Sequence, residues 1–190
     1  QMYVEYQIPA NLKHPFPIVL VHGGTATGLL WTGTPDGREG WAQYFVRQGN
    51  AVYVVDQVGK GRSTHLESTY GPVALVECQN SQTRYIAQEK YKLWPQAHLH
   101  TQWPGSGELE DPIVQQLLSS QLPAIRDFTK QQFINRDALI ALLDKIGPAI
   151  VLTHSMSGTS GWLIADSRPN LVKGIVGIEP SSPPFRNLEE

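Results

Sequence analysis

The sequence is poor in several features that would each point to a function. Its 190 residues contain one cysteine, Cys78, so no disulfide closes within the chain, and a bridge to another segment stays open. Fifteen Lys and Arg against 17 Asp and Glu give a formal charge of -2, with no basic stripe interleaved with aromatics. That removes the electrostatic footprint of a nucleic-acid binder, and nucleic acid is not an expected partner. No apolar run approaches the roughly 20 residues that span a bilayer, and Gln1 to Ala10 shows neither a basic n-region nor an apolar h-region. The expectation is a soluble chain with no membrane span and no visible address. Repeats and low-complexity segments are absent. His98 and His100 alternate as strand neighbours would, but no second cluster of Cys, His or carboxylates accompanies them, so neither a metal nor another cofactor is expected. The scarcity with the largest consequence is histidine: there are six, and none follows His154.

What is present reads as alternating strands and helices. Met2 to Ile8 alternates apolar and polar residues, the pattern of an edge or near-edge strand, and Pro9 ends it. Ile18 to Val21, Ala51 to Val55, Ala149 to Leu152 and Gly174 to Ile178 are continuous β-branched runs, the signature of strands covered on both faces. Helical patterns between them imply parallel strands joined by right-handed crossovers. Gly40 to Gln48 places Trp41, Tyr44 and Phe45 on one helical face, with Gly49 as the stop. Asn135 is expected to cap a helix over Arg136 to Ile146, and Asp111-Pro112 to open one that stops at Leu122-Pro123. The length fits one domain over residues 1–190, with an insertion at about 65–133 far longer than an ordinary crossover. Residues Trp94 to Gly107 within it suit either the apolar wall of a lid or a surface excursion.

Two segments carry chemistry. Val151 to Gly158 sets Ser155 between a buried strand and a helix start, the context of a nucleophile elbow; Thr153 and Ser157 stand where the G-x-S-x-G pattern has glycine. A serine that merely caps the following helix is the plainer reading. Val21-His22-Gly23-Gly24-Thr25 follows another buried strand as a turn whose glycines expose backbone N–H groups. Donors after the first-crossover strand and after the nucleophile would stabilise an oxyanion, and Gly24 and Met156 are the candidates; a generic glycine turn is the alternative. Glu179 stands directly behind the strand ending at Ile178, where it can orient a histidine, or else pair with a surface cation such as Arg186. Asp56 is a competing carboxylate, but Gln57 to Ser63 after it reads as a structural turn.

These stretches together resemble the α/β-hydrolase superfamily and, within it, a branch of secreted microbial serine esterases. The likeness rests on His22-Gly23-Gly24, Thr34-Pro35-Asp36-Gly37-Arg38 with Gly40-Trp41, Asp56-Gln57 with Gly59 and Gly61-Arg62-Ser63, His154-Ser155 with Ser157-Gly158, and Glu179-Pro180. The resemblance implies an α/β-hydrolase fold, a mostly parallel sheet flanked by helices with a lid-like insertion. It implies Ser155 as nucleophile, Glu179 as the acid, Gly24 and Met156 as oxyanion donors, and secretion. Branch members can carry adjacent cysteines in the oxyanion loop; Gly24-Thr25 here excludes that bridge.

A serine hydroxyl is a weak nucleophile without a base, and in this superfamily the order is Ser, acid, His. His22 belongs to the oxyanion turn and His154 is expected to point away from the nucleophile; His65 could face the pocket. The expectation is therefore an incomplete domain lacking the carboxyl-terminal strands, inactive alone, whose partners are a small-molecule ester and a downstream segment or second chain carrying the catalytic His. A catalytically silent binding protein, or hydrolysis of an amide, thioester or carbon–carbon bond, are the competing functions.

Overall fold

The computed structural model describes residues 1–181, which fall into two compact units, residues 1–74 with 124–181 and residues 75–123. In chain order the strands are β1 (Tyr3–Gln7), β2 (Ile18–Val21), β3 (Val52–Asp56), β4 (Val73–Ala74), β5 (Ala124–Ile125), β6 (Ala149–His154) and β7 (Val172–Ile178). The helices are α1 (Leu29–Thr32), α2 (Trp41–Arg47), α3 (Glu67–Tyr70), α4 (Cys78–Tyr85), α5 (Gln88–Tyr91), α6 (Pro112–Ser119), α7 (Phe128–Ile146) and α8 (Gly158–Ser167).

The larger unit is built on a five-stranded sheet in the order β1-β3-β2-β6-β7. β2, β3, β6 and β7 run parallel, and β1 is an antiparallel edge, in keeping with its alternating sequence. The β-branched runs lie where double-sided burial requires them: all four residues of β2 are buried. One face packs Val19, Val21, Val55 and Val151 against Leu139, Leu142 and Leu143 of α7 and Ile164 of α8. The other packs Ile18, Leu20, Val52, Val54 and Leu152 against Trp31 and Ala42. β7 departs from the expectation of burial on both faces. It is half-buried, and Val176 is 47% exposed, because β7 is the outer strand of the described sheet with β6 on one side only.

Two helix expectations need correction. Asn135 does not cap a helix; α7 begins seven residues earlier, where the Asp127 side chain accepts from Lys130 N–H (2.9 Å). Asn135 is buried inside that helix, its Oδ1 accepting from Val58 N–H (2.9 Å) and its Nδ2 donating to the Gln131 carbonyl (2.9 Å). An asparagine that reads as a cap is instead the anchor of the loop after β3, because a buried backbone donor there needs an acceptor. In α2 the buried face belongs to Ala42, with Phe45 and Val46 against the core, while Trp41 and Tyr44 are 50% and 52% exposed. Gly49 ends the helix as expected, with φ 92°.

The loop after β3 is organised by Asp56. Its buried carboxylate accepts from Gly28 N–H (2.7 Å), from Arg62 N–H (2.9 Å) and from the Arg62 side chain at Nε (2.8 Å) and Nη2 (3.2 Å). Burial alone would raise its pKa, but these hydrogen bonds hold it below the usual carboxylate range. Asp56 is thereby committed to structure, as the sequence suggested.

The smaller unit packs Ile86, Ala87 and Val114 with Trp103, Leu117 and Leu118. Asp111 caps α6 by accepting from Ile113 N–H (2.9 Å), with proline at the first helical position. Gln82 Nε2 ties α4 to the Gly107 carbonyl (2.9 Å). No helix among the described residues is long and apolar enough to cross a membrane.

Candidate active site

The carboxyl ends of β6 and β7 lie side by side, with Thr153 opposite Gly177 and His154 opposite Ile178. The next residue on each strand is Ser155 and Glu179. Both have left-handed backbones, at φ 52° and 42°. A side chain at positive φ costs of order 1 kcal/mol or more, and such residues gather where geometry serves a function. The chain closes behind them: Ser181 N–H donates to the Ser155 carbonyl (3.0 Å), and Gly158 packs so closely on Pro180 that a Cβ there would lie 2.6 Å from the proline's Cβ. Ser155 is half-buried and Glu179 exposed.

The elbow itself is a 3-10 turn, Ser155–Ser157, leading into α8. Its two departures from the glycine pattern have structural explanations. Ser157 is buried, and its Oγ accepts from His154 N–H (2.9 Å) and donates to the Val21 carbonyl (3.1 Å), pinning the turn to the end of β2. Thr153 keeps its methyl because the helix position facing it is Gly161, where a Cβ would stand 2.9 Å from Thr153 Cγ2. The glycine that lets helix and strand approach is thus Gly161, eight residues after Thr153.

The His22-Gly23-Gly24 turn meets the elbow directly. A Cβ on Gly23 would lie 3.2 Å from Ser155 Cβ and 2.8 Å from His154 Nδ1, and one on Gly24 would overlap the Met156 side chain. The structure thus brings Gly24, Ser155 and Met156 together, with Glu179 on the neighbouring strand end.

His22 sets the turn. The ring is fully buried, its Nδ1 within 2.8 Å of the Gly23 carbonyl and its Nε2 accepting from Gln57 N–H (2.9 Å), while Gln57 Nε2 bonds the His22 carbonyl. This pairing places the proton on Nδ1 of a neutral ring. Burial pushes its pKa down from 6.5 to about 4. The unfolded chain binds this proton near pH 6.5 and the folded one only near pH 4, so stability is complete at neutral pH and drains away as pH falls through that window. The total is on the order of 3 kcal/mol. Urea unfolding at pH 7 and pH 4.5 should show that loss, and a His22→Asn variant, weaker at pH 7, should lose less on acidification.

The other histidines lie elsewhere. The His65 ring stands 6.0 Å from that of Tyr70, and His98 Nδ1 meets the Pro95 carbonyl (2.6 Å). His14 and His100 are exposed. His154, half-buried, directs its ring to Trp31 (6.4 Å between centroids, 87° between planes); burial lowers its pKa, and the charge of Glu179 partly opposes this. Arg186, the alternative partner for Glu179, lies outside the described residues. Among the described residues no cluster of three or more His, Cys, Asp or Glu could hold a metal.

Residues 17–190 match the family model described as alpha/beta hydrolase fold. The chain belongs to the α/β-hydrolase family. It is 45% identical over 184 residues to a protein of a fungal species (strain ATCC 74256) named as a probable secreted lipase, phiG, covering 97% of this chain and 50% of that one. Among solved structures it is similar to a bacterial esterase, with 30% identity and a TM-score of 0.66 over 94% of this chain and 57% of the other. The chain therefore spans about half the length of the relatives it matches. The α/β-hydrolase fold expected from the sequence is the fold observed.

Sequence reasoning passed over Trp31 and the compensating Gly161. Trp31 stands outside every motif that carries the resemblance.

Proposed function

We propose that this chain is the nucleophile-bearing part of a secreted carboxylic-ester hydrolase that works through an acyl-enzyme. The observation that carries this is the pairing of two strained residues, Ser155 and Glu179, at adjacent ends of parallel strands, beside a glycine turn packed on the elbow. The relatives' names, a secreted lipase and an esterase, support the bond type and the compartment.

In this reading Ser155 Oγ attacks the ester carbonyl while a histidine takes its proton. The carbonyl oxygen becomes an oxyanion, received by the N–H groups of Gly24 and Met156. The protonated histidine, steadied by Glu179, returns the proton to the leaving alcohol, and water repeats the sequence to free the acid. In this reading the base is supplied by the part of the longer protein that this chain does not span; His22, His98 and His154 are each engaged with other groups. His154 precedes the nucleophile but packs on Trp31 and Gly23.

Hydrolysis of a short p-nitrophenyl ester tests this. The full-length protein is expected to release a burst of nitrophenol equal to the enzyme present, then turn over steadily. Residues 1–190 alone are expected to show no turnover. Equal rates from the two would remove the need for an outside base, and a full-length protein that binds but cleaves no ester would be a silent binder.

A further inference from the structure

The segment Thr34-Pro35-Asp36-Gly37-Arg38 with Gly40-Trp41 is unused by the chemistry above, and the structure shows what it holds. Thr34 N–H donates to the Arg38 carbonyl (3.1 Å), Arg38 N–H to Thr34 Oγ1 (3.0 Å), and Gly37 N–H to the Thr34 carbonyl (3.0 Å). Asp36 and Arg38 pair on the surface at 2.8 Å. A bridge between Gly33 and Glu39 closes the loop. The chain returns at Gly40, which lies against the Trp31 carbonyl so tightly that a Cβ would overlap it. The other end of α1 is fixed as well, since Gly28 N–H is held by Asp56 (2.7 Å) and the Gly28 carbonyl accepts from Trp31 N–H (3.0 Å).

The residue so gripped, Trp31, is 4% exposed and sits in a row of rings. Trp41 packs on one side at 5.6 Å between centroids. The His154 ring meets it in a T-shape at 6.4 Å, and beyond that ring comes Gly23, where a Cβ would stand 2.8 Å from His154 Nδ1 and 3.3 Å from Cε1. The order is Trp41, Trp31, His154, Gly23. The indole N–H of Trp31 is buried with no hydrogen-bond partner among the described residues, so packing alone sets where the ring lies.

We propose that Trp31 is a positioning residue for the reaction described above: clamped by the 33–40 loop, it backs the His154 ring, which in turn holds the Gly23–Gly24 turn at the distance an oxyanion requires. The inference rests on the ester-hydrolase reading. Without Trp31, His154 gains room to rotate and Gly23 loses its backing. The donor at Gly24 then moves, and a displacement near 1 Å at such a site can cost roughly a hundredfold in rate. The loss falls on the transition state, because the ground-state ester carries little charge for the donor to meet.

The test uses the full-length protein and separates kcat from KM. Trp31→Leu is expected to lower kcat by about ten- to a hundredfold with KM within about twofold. Affinity for a trifluoromethyl ketone, which forms a reversible tetrahedral adduct, should fall in parallel. Trp31→Phe should restore kcat to within about threefold, since the indole N–H makes no bond and the aromatic contact persists. His154→Ala removes the link from the other end and should reproduce the Trp31→Leu result, which keeps the test open if Trp31→Leu fails to fold. Unchanged kcat with only a lower thermal midpoint overturns the proposal. So does a loss carried by KM, which would make Trp31 a wall of the substrate pocket, or a fall in kcat with ketone affinity intact. Ser155→Ala, run alongside, distinguishes the two levels: if it retains turnover, the ester-hydrolase reading fails and this inference with it; if it is inactive while Trp31→Leu keeps its kcat, only the positioning role is lost.

Discussion

Ser155→Ala in the full-length protein is expected to lower kcat for ester hydrolysis by about 10⁴- to 10⁶-fold, leaving KM within a few-fold. The hydroxyl is the only atom removed, and no acyl-enzyme can form without it. What remains is the modest catalysis of a binding site with an oxyanion turn. Stability should move little and in the favourable direction. Alanine still meets the left-handed backbone at φ 52°, but the hydroxyl belongs to a residue that is only partly buried. A Ser155→Gly variant, also inactive, should be the more stable of the two because glycine relieves the strain. A variant that kept more than about one per cent of wild-type kcat would point to another nucleophile.

Glu179→Gln is expected to lower kcat by roughly 10⁴-fold. The amide keeps the shape of the acid and loses its charge, so it neither steadies an imidazolium nor holds the tautomer that leaves a lone pair toward the serine. Asp56 provides the internal control. It is also a carboxylate at a strand end, but its oxygens are taken by Gly28 and Arg62. Asp56→Asn should therefore cost stability, on the order of 2 kcal/mol from the weakened charge-assisted bonds, while sparing most of kcat in whatever protein remains folded. If Asp56→Asn lost the rate and Glu179→Gln kept it, the acid would be misassigned.

The two carboxylates show how far a sequence carries. Both stand behind apolar runs; the run of β3 is legible because a strand covered on two faces has no polar positions to interrupt it, whereas β7 shares that composition without the burial. That is enough to place β2, β3 and β6, to expect them parallel, and to set Ser155 and Glu179 at strand ends, while the order β1-β3-β2-β6-β7 comes from the structure. Choosing between Asp56 and Glu179 rested on the glycine-rich turn after Asp56. The structure adds the reason, since that turn delivers Arg62 back to the carboxylate. The Ser155 motif was legible despite its two substitutions, but their compensation was not. Gly161 answers Thr153 across a helix–strand contact, and no local pattern records which positions face each other there.

Other features were hidden for related reasons. Asn135 has the chemistry of a cap and the position of one if the helix starts at Arg136; its true partner, Val58 N–H, is 77 residues away. Periodicity puts Trp41, Tyr44 and Phe45 on one face because aromatic residues are apolar, whereas in α2 it is Ala42, Phe45 and Val46 that meet the core. β7 reads like its neighbours in composition, and only the sheet order reveals that β6 covers one edge of it. The surroundings of Trp31 have no local signature because they come from a loop, a second tryptophan and the ring of His154.

The central claim is that one hydroxyl, Ser155, carries the acyl group. Peptide mass spectrometry of the folded full-length protein, after reaction with a fluorophosphonate, tests it most directly. The account predicts one phosphonyl group per chain, on the peptide containing Ser155, with esterase activity lost in proportion to labelling. An active, folded protein that carries the label on a different residue, or carries none, would contradict it.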